Sequence, residues 1–280
     1  MNSSTQLKAH ISNLSKKYNL NPQVLLTRFF MDCFLERIAL SKYKNNFVLK
    51  GGVLISAMVG VDSRMTKDMD ITVQRLPLEE AFIKNAIEEI AKMDLNDLVK
   101  FRLSSITPIR QDFDYNGFAI KLDVEFDKTR NRIQIDITTG DKITPKEIEY
   151  GYKLLLEDRT INIASYPIET ILAEKIESIL ARSIANTRMK DYYDCYTLSK
   201  MYTSAINYET LDTAIKATAK VRHTESIFSN MLRTITLIET DKSMEFLWLA
   251  YSQQFSYAKD ILFAQIIQEL KALLKKVKLI

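Results

Sequence analysis

The segment Phe47–Val73, FVLKGGVLISAMVGVDSRMTKDMDITV, predicts a strand, a tight turn, a short helix and a second strand. The paired glycines Gly51 and Gly52 let the backbone turn sharply and approach a ligand closely. The helix that follows them would offer free N–H groups and a positive dipole end, which suit a phosphate. Asp68 and Asp70 project from one face of the second strand, because side chains two positions apart on a strand share a face. The segment is therefore typical of a nucleoside triphosphate site, where carboxylates bind Mg²⁺ together with substrate phosphates.

The Asp-x-Asp tripeptide is weak evidence without its surroundings, because the chain carries a second copy at Asp112–Asp114. That copy precedes a predicted strand in a segment typical of a turn. The first copy differs because it follows the paired glycines at a short distance and leads into a β-rich region. Its context, and not the tripeptide alone, indicates the site.

The composition is that of an ordinary globular protein. The chain has 280 residues, of which 46% are hydrophobic and 26% charged, with a formal net charge of +4. Such a mild positive charge permits a polyanionic partner without requiring one. Two cysteines and two histidines are too few for a disulfide framework or a cysteine-based zinc site, and their spacing gives little support to a Ser–His or Cys–His nucleophile. The N-terminus lacks the apolar core of a signal peptide, and no apolar run is long enough to span a membrane, so we expect a cytoplasmic protein.

The chain changes character twice along its length. Residues 4–42 have helical periodicity, with a helix start at Asn21-Pro22. The next region predicts a helix at 78–93 and strands near 46–50, 69–73, 99–106, 117–126 and 131–138. A hairpin turn is expected at Thr129–Asn131. Beyond Pro145 the pattern is helical, apart from an extended piece around 160–164, and we divide the chain into a first domain, 1–150, and a helical domain, 151–280.

Asp136 is a candidate third carboxylate. It alternates with isoleucines on the predicted strand 131–138, so its side chain points away from the apolar face. If this strand pairs beside the Asp-x-Asp strand, Asp136 joins the site. Displacement at a phosphate by a two-metal site uses such a set, because two metal ions about 3.5–4 Å apart hold the attacking and leaving oxygens. Asp123 and Glu125 occupy equivalent positions on the preceding strand and compete for the role, and a solvent-facing strand residue is the simpler alternative.

Lys175 lies inside an apolar helix stripe, where a lysine is costly unless its ammonium meets an anion. The stripe consists of Ile168, Ile171, Leu172, Ile176, Ile179 and Leu180. A triphosphate or the metal-binding carboxylates would satisfy the ammonium. The alternative is that the side chain extends along its own stem to solvent.

A third segment, Arg188–Leu198, places Asp191 and Asp194 on one face of a predicted helix. Either carboxylate could orient the acceptor, accept its proton or position the neighbouring basic residues. Capping of the helix start by Asp191 is the alternative. The three tyrosines of this segment could stack on a base or pack in the core.

Taken together and in this order, the segments from Phe47 to Leu198 resemble the motifs of AbiEii/AbiGii-type nucleotidyltransferase toxins, a branch of the DNA-polymerase-β-like nucleotidyltransferase superfamily. The resemblance rests on the paired glycines with R-x-T-x-D-x-D, the E-T-I-L-A-E-K segment around Lys175, and the last motif at Asp191 and Asp194. One departure from the wider superfamily is Gly51-Gly52, where Gly-Ser is common. It favours the toxin branch.

The resemblance implies an α+β fold, in which a nucleotidyltransferase core of mixed sheet and helices is preceded by helices and followed by a helical domain. It implies an NTP-dependent nucleotidyltransferase in which Asp68, Asp70 and Asp136 bind Mg²⁺, or Mn²⁺ in its place. Asp191 or Asp194 would act near the acceptor. The expected nucleotide contacts are Gly51, Gly52, Arg64, Thr66 and Lys175.

The resemblance also implies a biological setting. Similar proteins are bacteriostatic toxins of toxin–antitoxin pairs that act in abortive phage infection, and their antitoxin is a separately encoded DNA-binding transcriptional repressor. We expect transfer of a nucleoside monophosphate to RNA, with the 3′ end of tRNA as acceptor and GTP or a pyrimidine NTP as donor. The alternatives are a nucleotidyltransferase acting on a small molecule, a non-catalytic NTP-binding regulator, and a protein whose helical half binds a partner.

Overall fold

The computed structural model describes residues 1, 3–77, 79–109 and 117–280. The chain forms two compact units. Unit 1 comprises Met1–Gly140 and Ile148–Ser165, and unit 2 comprises Asp141–Glu147 and Tyr166–Ile280. The second Asp-x-Asp copy, at Asp112 and Asp114, lies outside the described residues, as does Leu78 at the predicted start of a helix.

Unit 1 is built on a mixed seven-stranded sheet with the strand order β3-β4-β5-β2-β1-β7-β6. Its strands are β1 (Phe47–Lys50), β2 (Asp68–Val73), β3 (Val99–Ile109), β4 (Gly117–Phe126), β5 (Thr129–Thr138), β6 (Ile148–Lys153) and β7 (Thr160–Ser165). The central strand β2 is antiparallel to β1 and parallel to β5. The strands carrying Asp70 and Asp136 are therefore direct neighbours.

The helices of unit 1 cover the apolar face of this sheet. They are α1 (Ser4–Tyr18), α2 (Pro22–Leu40), α3 (Gly51–Val59) and α4 (Glu80–Ala91). Phe29 and Phe34 of α2 make edge contacts with Phe126 and Phe101 of the sheet. In β2 and β5, buried apolar residues alternate with polar ones. The buried apolar residues are Met69, Ile71, Val73, Ile133, Ile135 and Ile137. The polar side chains of both strands consequently lie together on the other face.

The helix start predicted at Asn21-Pro22 is confirmed. The Asn21 side chain accepts a hydrogen bond from the Gln23 backbone N–H at 2.8 Å, and Pro22 occupies the first helical turn. The Asn21 side chain thus satisfies one of the backbone N–H groups that have no partner within the helix, and Pro22 has no backbone N–H group that would need one.

Two local predictions are wrong. The β4–β5 hairpin turns at Asp127-Lys128 and not at Thr129–Asn131, because Asp127 adopts a left-handed φ of 50°, which suits a two-residue hairpin turn. The sequence pattern also missed β6, a charged edge strand of which only Tyr152 is buried. Tyr152 donates its hydroxyl to the buried carboxylate of Asp32 at 2.6 Å, a long-range contact that no local pattern encodes.

Unit 2 is helical. Its α-helices are α5 (Ile168–Arg182), α6 (Met189–Met201), α7 (Tyr208–Val221), α8 (Ile227–Thr240), α9 (Lys242–Gln254) and α10 (Phe263–Lys276). Pro167 is the N-cap of α5. The α+β fold class with flanking helices is confirmed. Within the described ranges, no helix combines the length and apolarity needed to cross a bilayer.

Candidate active site

The paired glycines pack directly against two of the predicted site residues. Gly51 begins α3 with a φ of +66°, and a Cβ at this position would lie 2.0 Å from the Asp70 carboxylate oxygen Oδ2. A Cβ on Gly52 would lie 2.7 Å from the Thr66 hydroxyl oxygen. Both positions therefore require glycine, the first for its backbone conformation as well. The structure brings Gly51, Gly52, Thr66 and Asp70 together at the N-terminus of α3.

The three predicted metal-binding carboxylates, Asp68, Asp70 and Asp136, share one face of the sheet. Asp70 is in register with Asp136 on the parallel neighbour β5 and with Lys50 on β1. Asp68, two positions earlier on β2, is opposite Gln134. Gln134 donates a hydrogen bond from Nε2 to Asp136 Oδ1 at 3.0 Å, which orients that carboxylate. Residues paired across neighbouring strands point to the same side, so Asp68, Asp70 and Asp136 form an acidic strip.

The two competitors of Asp136 are engaged elsewhere on β4. Asp123 lies opposite Arg132 and accepts hydrogen bonds from Arg132 Nε at 2.8 Å and Arg102 at 3.3 Å. The Arg132 hydrogen bond lowers the pKa of Asp123. Glu125 pairs with Arg130 at 3.4 Å. Asp136 alone among these acids is in register with Asp70.

Arg64 and Thr66 occupy the loop between α3 and β2. Arg64 is 4% exposed, which is unusual for an arginine, and Thr66 donates a hydrogen bond to the Asp68 carbonyl oxygen at 3.4 Å. Thr66 therefore lies between the second glycine and the acidic strip. The loop connects the two elements on which the site depends.

Lys50 is a residue of this site that sequence reasoning missed. It is the last residue of β1, is 7% exposed and donates a hydrogen bond from Nζ to Thr138 Oγ1 at 2.8 Å. Its register opposite Asp70 places a cation on the acidic face. A signal was present in the sequence, because a lysine ends a strand that is otherwise apolar immediately before the paired glycines.

The donor set of the acidic strip fits Mg²⁺ by its chemistry. Its members are carboxylate oxygens that are half-buried or exposed, which a hard cation prefers together with water and substrate phosphates. Within the described ranges, no three acidic, cysteine or histidine side chains converge into a preformed metal cage. The strip thus has the ligand type of a site that substrate phosphates complete, and not that of an all-protein cage.

In unit 2 the predicted residues Lys175, Asp191 and Asp194 form one ionic cluster. Lys175 Nζ lies 2.6 Å from Asp191 Oδ1 and 3.3 Å from Asp194 Oδ2. The side chains of the two aspartates are 5% and 0% exposed, and that of Lys175 is 19% exposed. The carboxylates explain how an ammonium is tolerated in an apolar stripe. Asp191 is not the N-cap of α6, since that position is occupied by Arg188, whose side chain makes no cap hydrogen bond.

The surroundings of this cluster are apolar. Burial raises the pKa of the Tyr192 hydroxyl and of the Cys195 thiol, so both groups stay neutral at physiological pH. Tyr192 packs against Phe263, and Tyr193 against Tyr251 and Tyr257. Tyr192 and Tyr193 are buried, which favours core packing over base stacking for these two of the segment's tyrosines.

Comparisons with known proteins agree with this architecture. The sequence model of the family described as "Nucleotidyl transferase AbiEii toxin, Type IV TA system" matches residues 33–274. A search of curated proteins found no match.

Three solved structures share the fold. MenT4, a nucleotidyltransferase toxin from Mycobacterium tuberculosis H37Rv, has a TM-score of 0.53 at 10% identity, covering 96% of this chain and 98% of that one. A candidate nucleotidyltransferase from H. pylori has a TM-score of 0.51 at 14% identity, covering 92% and 98%. JHP933 from Helicobacter pylori has a TM-score of 0.50 at 15% identity, covering 92% and 95%.

The family match covers most of the chain, and it includes the acidic strip, the paired glycines and the ionic cluster of unit 2. It confirms the resemblance drawn from the motifs. The chain therefore belongs to the AbiEii family, the nucleotidyltransferase toxins of type IV toxin–antitoxin systems, whose antitoxin is a separate component.

Proposed function

We propose that this toxin transfers a nucleoside monophosphate from an NTP to the 3′ end of an RNA, with tRNA as the acceptor. An acceptor hydroxyl would attack the α-phosphate and release pyrophosphate. The observation that carries the proposal is the packing of Asp70 against Gly51, with Asp136 in register beside it. This arrangement sets carboxylates and a helix N-terminus side by side, as a metal-bound triphosphate requires.

In this proposal Asp68, Asp70 and Asp136 hold Mg²⁺, with Mn²⁺ as an alternative. The bound metal would supply charge neutralisation of the phosphates and of the leaving pyrophosphate. The N–H groups at the start of α3 would bind phosphate oxygens, and the missing Cβ atoms of Gly51 and Gly52 let Asp70 and Thr66 pack directly beside this helix start. Arg64 and Thr66 would complete the phosphate contacts.

For unit 2 we propose that Lys175 contacts the nucleotide phosphates. Asp191 and Asp194 then act as positioning residues, because both lie within ion-pair distance of its ammonium and are themselves buried. Holding a flexible lysine at a fixed point lowers the entropy that is lost when the nucleotide binds. One of the two carboxylates would in addition act near the acceptor.

The family setting supports the remaining parts of the proposal. The partner that limits toxicity would be a separately encoded DNA-binding repressor, and the outcome for an infected cell would be abortive infection. GTP or a pyrimidine NTP is the proposed donor. Cytoplasmic RNA is the proposed substrate pool.

The test is incubation of the purified protein with total RNA, Mg²⁺ and each α-³²P-labelled NTP. Asp70→Asn and Asp136→Asn keep the side-chain shapes while removing a charge, so they should fold and lose transfer by at least about 100-fold. Asp62→Asn, an exposed aspartate in the same unit, is the matched control and should retain the wild-type rate.

The outcomes separate the alternatives. A labelled RNA that depends on Asp70 identifies acceptor and donor by its size and by the preferred NTP. Loss of transfer in Asp123→Asn but not in Asp136→Asn would assign the third carboxylate to β4. NTP binding without any labelled RNA would contradict the RNA acceptor and favour a small-molecule acceptor or a non-catalytic regulator.

A further inference from the structure

A groove lined mostly by polar residues opens in unit 1 beside the acidic strip. It has a volume of about 380 Å³ and is lined by the start of α2, by Lys67 and Asp68, and by facing parts of β4 and β5. That volume is within the range of about 300–1,000 Å³ typical of sites for small ligands. The groove therefore has room for a nucleotide-sized group next to Asp68.

The groove carries a surplus of positive charge. Its charged residues are Lys67, Lys121, Arg132 and Asp68. Arg132 is paired with Asp123, whereas Lys67 and Lys121 are exposed and make no hydrogen bond or ion pair with any residue that the structure describes. Two ammonium groups facing one carboxylate favour an anionic ligand.

The rest of the lining is rich in amides that hold one another in place. Gln23 donates from Nε2 to Asn131 Oδ1 at 3.2 Å, and Asn131 donates from Nδ2 to Thr27 Oγ1 at 3.2 Å. Gln134 and Asn21 also line the groove. Side-chain amides pair with the edges of unstacked bases, and RNA is read in this way in single-stranded segments. A nucleotide therefore suits the groove, because the ammonium groups would bind its phosphate and the amides would form hydrogen bonds with its base.

The groove lies on the side of the acidic strip away from the paired glycines. In the order β4-β5-β2-β1, the groove strands β4 and β5 are on one side of β2, and β1, which leads into Gly51, is on the other. Displacement at a phosphorus atom requires attacking and leaving oxygens roughly in line. If the leaving pyrophosphate is held at the start of α3, the nucleophile must approach from the groove side.

From this arrangement we infer that the groove binds the 3′-terminal nucleotides of the RNA acceptor, with Lys67 and Lys121 contacting their phosphates. The inference rests on the proposed function for the position of the triphosphate. It goes further by naming which surface holds the acceptor and which residues give it affinity. The triphosphate is held at the start of α3, so Lys67 and Lys121 are expected to contact the acceptor and not the donor.

The test compares the double variant Lys67→Gln/Lys121→Gln with the double variant Lys44→Gln/Lys84→Gln. The control pair is exposed, belongs to the same unit and lies outside the groove, so the net charge changes equally. Fluorescence anisotropy measures binding of a 5′-labelled single-stranded RNA with a free 3′ hydroxyl across a KCl series. The same variants are assayed for the KM of RNA and the KM of NTP.

We expect the groove variant to bind RNA about tenfold more weakly and to lower the slope of log K against log salt by about 1.4, since each single-strand phosphate contact contributes about 0.7. Its KM for NTP should equal that of the wild type, and the control variant should match the wild type throughout. A circular form of the same RNA, which has no 3′ end, should bind more weakly than the linear form.

The possible failures are distinguishable. Wild-type affinity and salt slope in the groove variant, with transfer still dependent on Asp70, would overturn the groove and leave the proposed function standing. Groove-dependent binding of the linear RNA without any transfer would support the groove and overturn the proposed function. Absence of RNA binding by the wild type would overturn the groove assignment.

Discussion

The packing of Gly51 against Asp70 leads to a sharp prediction for Gly51→Ala. An L-residue in the left-handed conformation costs about 1–2 kcal/mol, and Gly51 has a φ of +66°. The new Cβ would lie 2.0 Å from Oδ2, 2.7 Å from Cγ and 2.8 Å from Cβ of Asp70. Ordinary contact begins at 3.4 Å, so the carboxylate oxygen would have to move by about 1.4 Å. Rotation of the side chain alone does not relieve the clash, because the Asp70 Cβ is also too close.

The expected result is a folded protein with little activity. A misplacement of about 1 Å in a catalytic site costs about 100-fold in rate, so kcat for nucleotidyl transfer should fall by at least that factor. The free energy of unfolding should fall by only about 1–3 kcal/mol, since the strain is local. The assay is the initial rate of label transfer to RNA at saturating NTP, with urea unfolding in parallel.

Gly60→Ala is the matched control. Gly60 ends α3 with a φ of +99°, and its new Cβ would meet the exposed side chain of Asp62 at 2.7 Å. This variant carries a backbone penalty at least as large, because L-residues rarely adopt a φ of 99° with a ψ of 147°, and it does not touch the acidic strip. If Gly51→Ala keeps its rate within about threefold of the wild type, or if Gly60→Ala loses as much, the link between the glycine and the position of Asp70 is refuted.

Three further predictions concern unit 2. Lys175→Met leaves two buried carboxylates without their shared cation, so it should lower the free energy of unfolding by about 2–4 kcal/mol in urea titrations. The control Lys190→Met, at an exposed position, should change the free energy of unfolding by less than about 0.5 kcal/mol. The Tyr192 hydroxyl is buried without a hydrogen-bond partner among the described residues. Tyr192→Phe should therefore leave the free energy of unfolding unchanged or raise it by about 1 kcal/mol. A clear loss of stability in this variant would show that the hydroxyl has a partner. Burial raises the pKa of the Cys195 thiol above its ordinary 9.0, so the unfolded chain releases that proton first and stability falls as the pH rises above 9. At pH 10 this thiol should account for about 1.4 kcal/mol of lost stability, and Cys195→Ala should show a correspondingly smaller drop between pH 8 and pH 10.

The elements that the sequence predicts well are those with strong local patterns. The alternation in β4 and β5 and the cap at Asn21 need only neighbouring residues, and the structure has them where they were expected. β6 could not be predicted, because it is an edge strand held by the distant carboxylate of Asp32 on α2. The β4–β5 turn was predicted too late in the chain, at Thr129–Asn131, because these polar residues are themselves typical of a turn. The actual turn depends on the left-handed φ that Asp127 tolerates.

The site follows the same division. The sequence places Asp68 and Asp70 on one face through their spacing alone, but it cannot say which strand lies beside β2. Only the sheet order separates Asp136 from Asp123 and Glu125, which have the same alternation. Likewise, the helical stripe marks Lys175 as needing an anion, while the identity of that anion depends on how α5 and α6 pack. The groove beside Asp68 is formed by residues of α2, β4 and β5, so no pattern within a single segment of the sequence predicts it.

Core packing and site geometry are coupled through the register of β2 and β5. Ile135 and Ile137 are fully buried, and Asp136 between them faces the opposite side in register with Asp70. A slip of β5 by one residue would bury Asp136 among apolar side chains and expose the isoleucines, which costs several kcal/mol in lost burial and in desolvation of a charge. The same alternation that drives the core to form therefore fixes the third carboxylate beside the second. No further interaction is needed to align the acidic strip. Its geometry is sensitive to substitutions at close contacts, such as that of Gly51 with Asp70, where one added methyl group would displace the carboxylate.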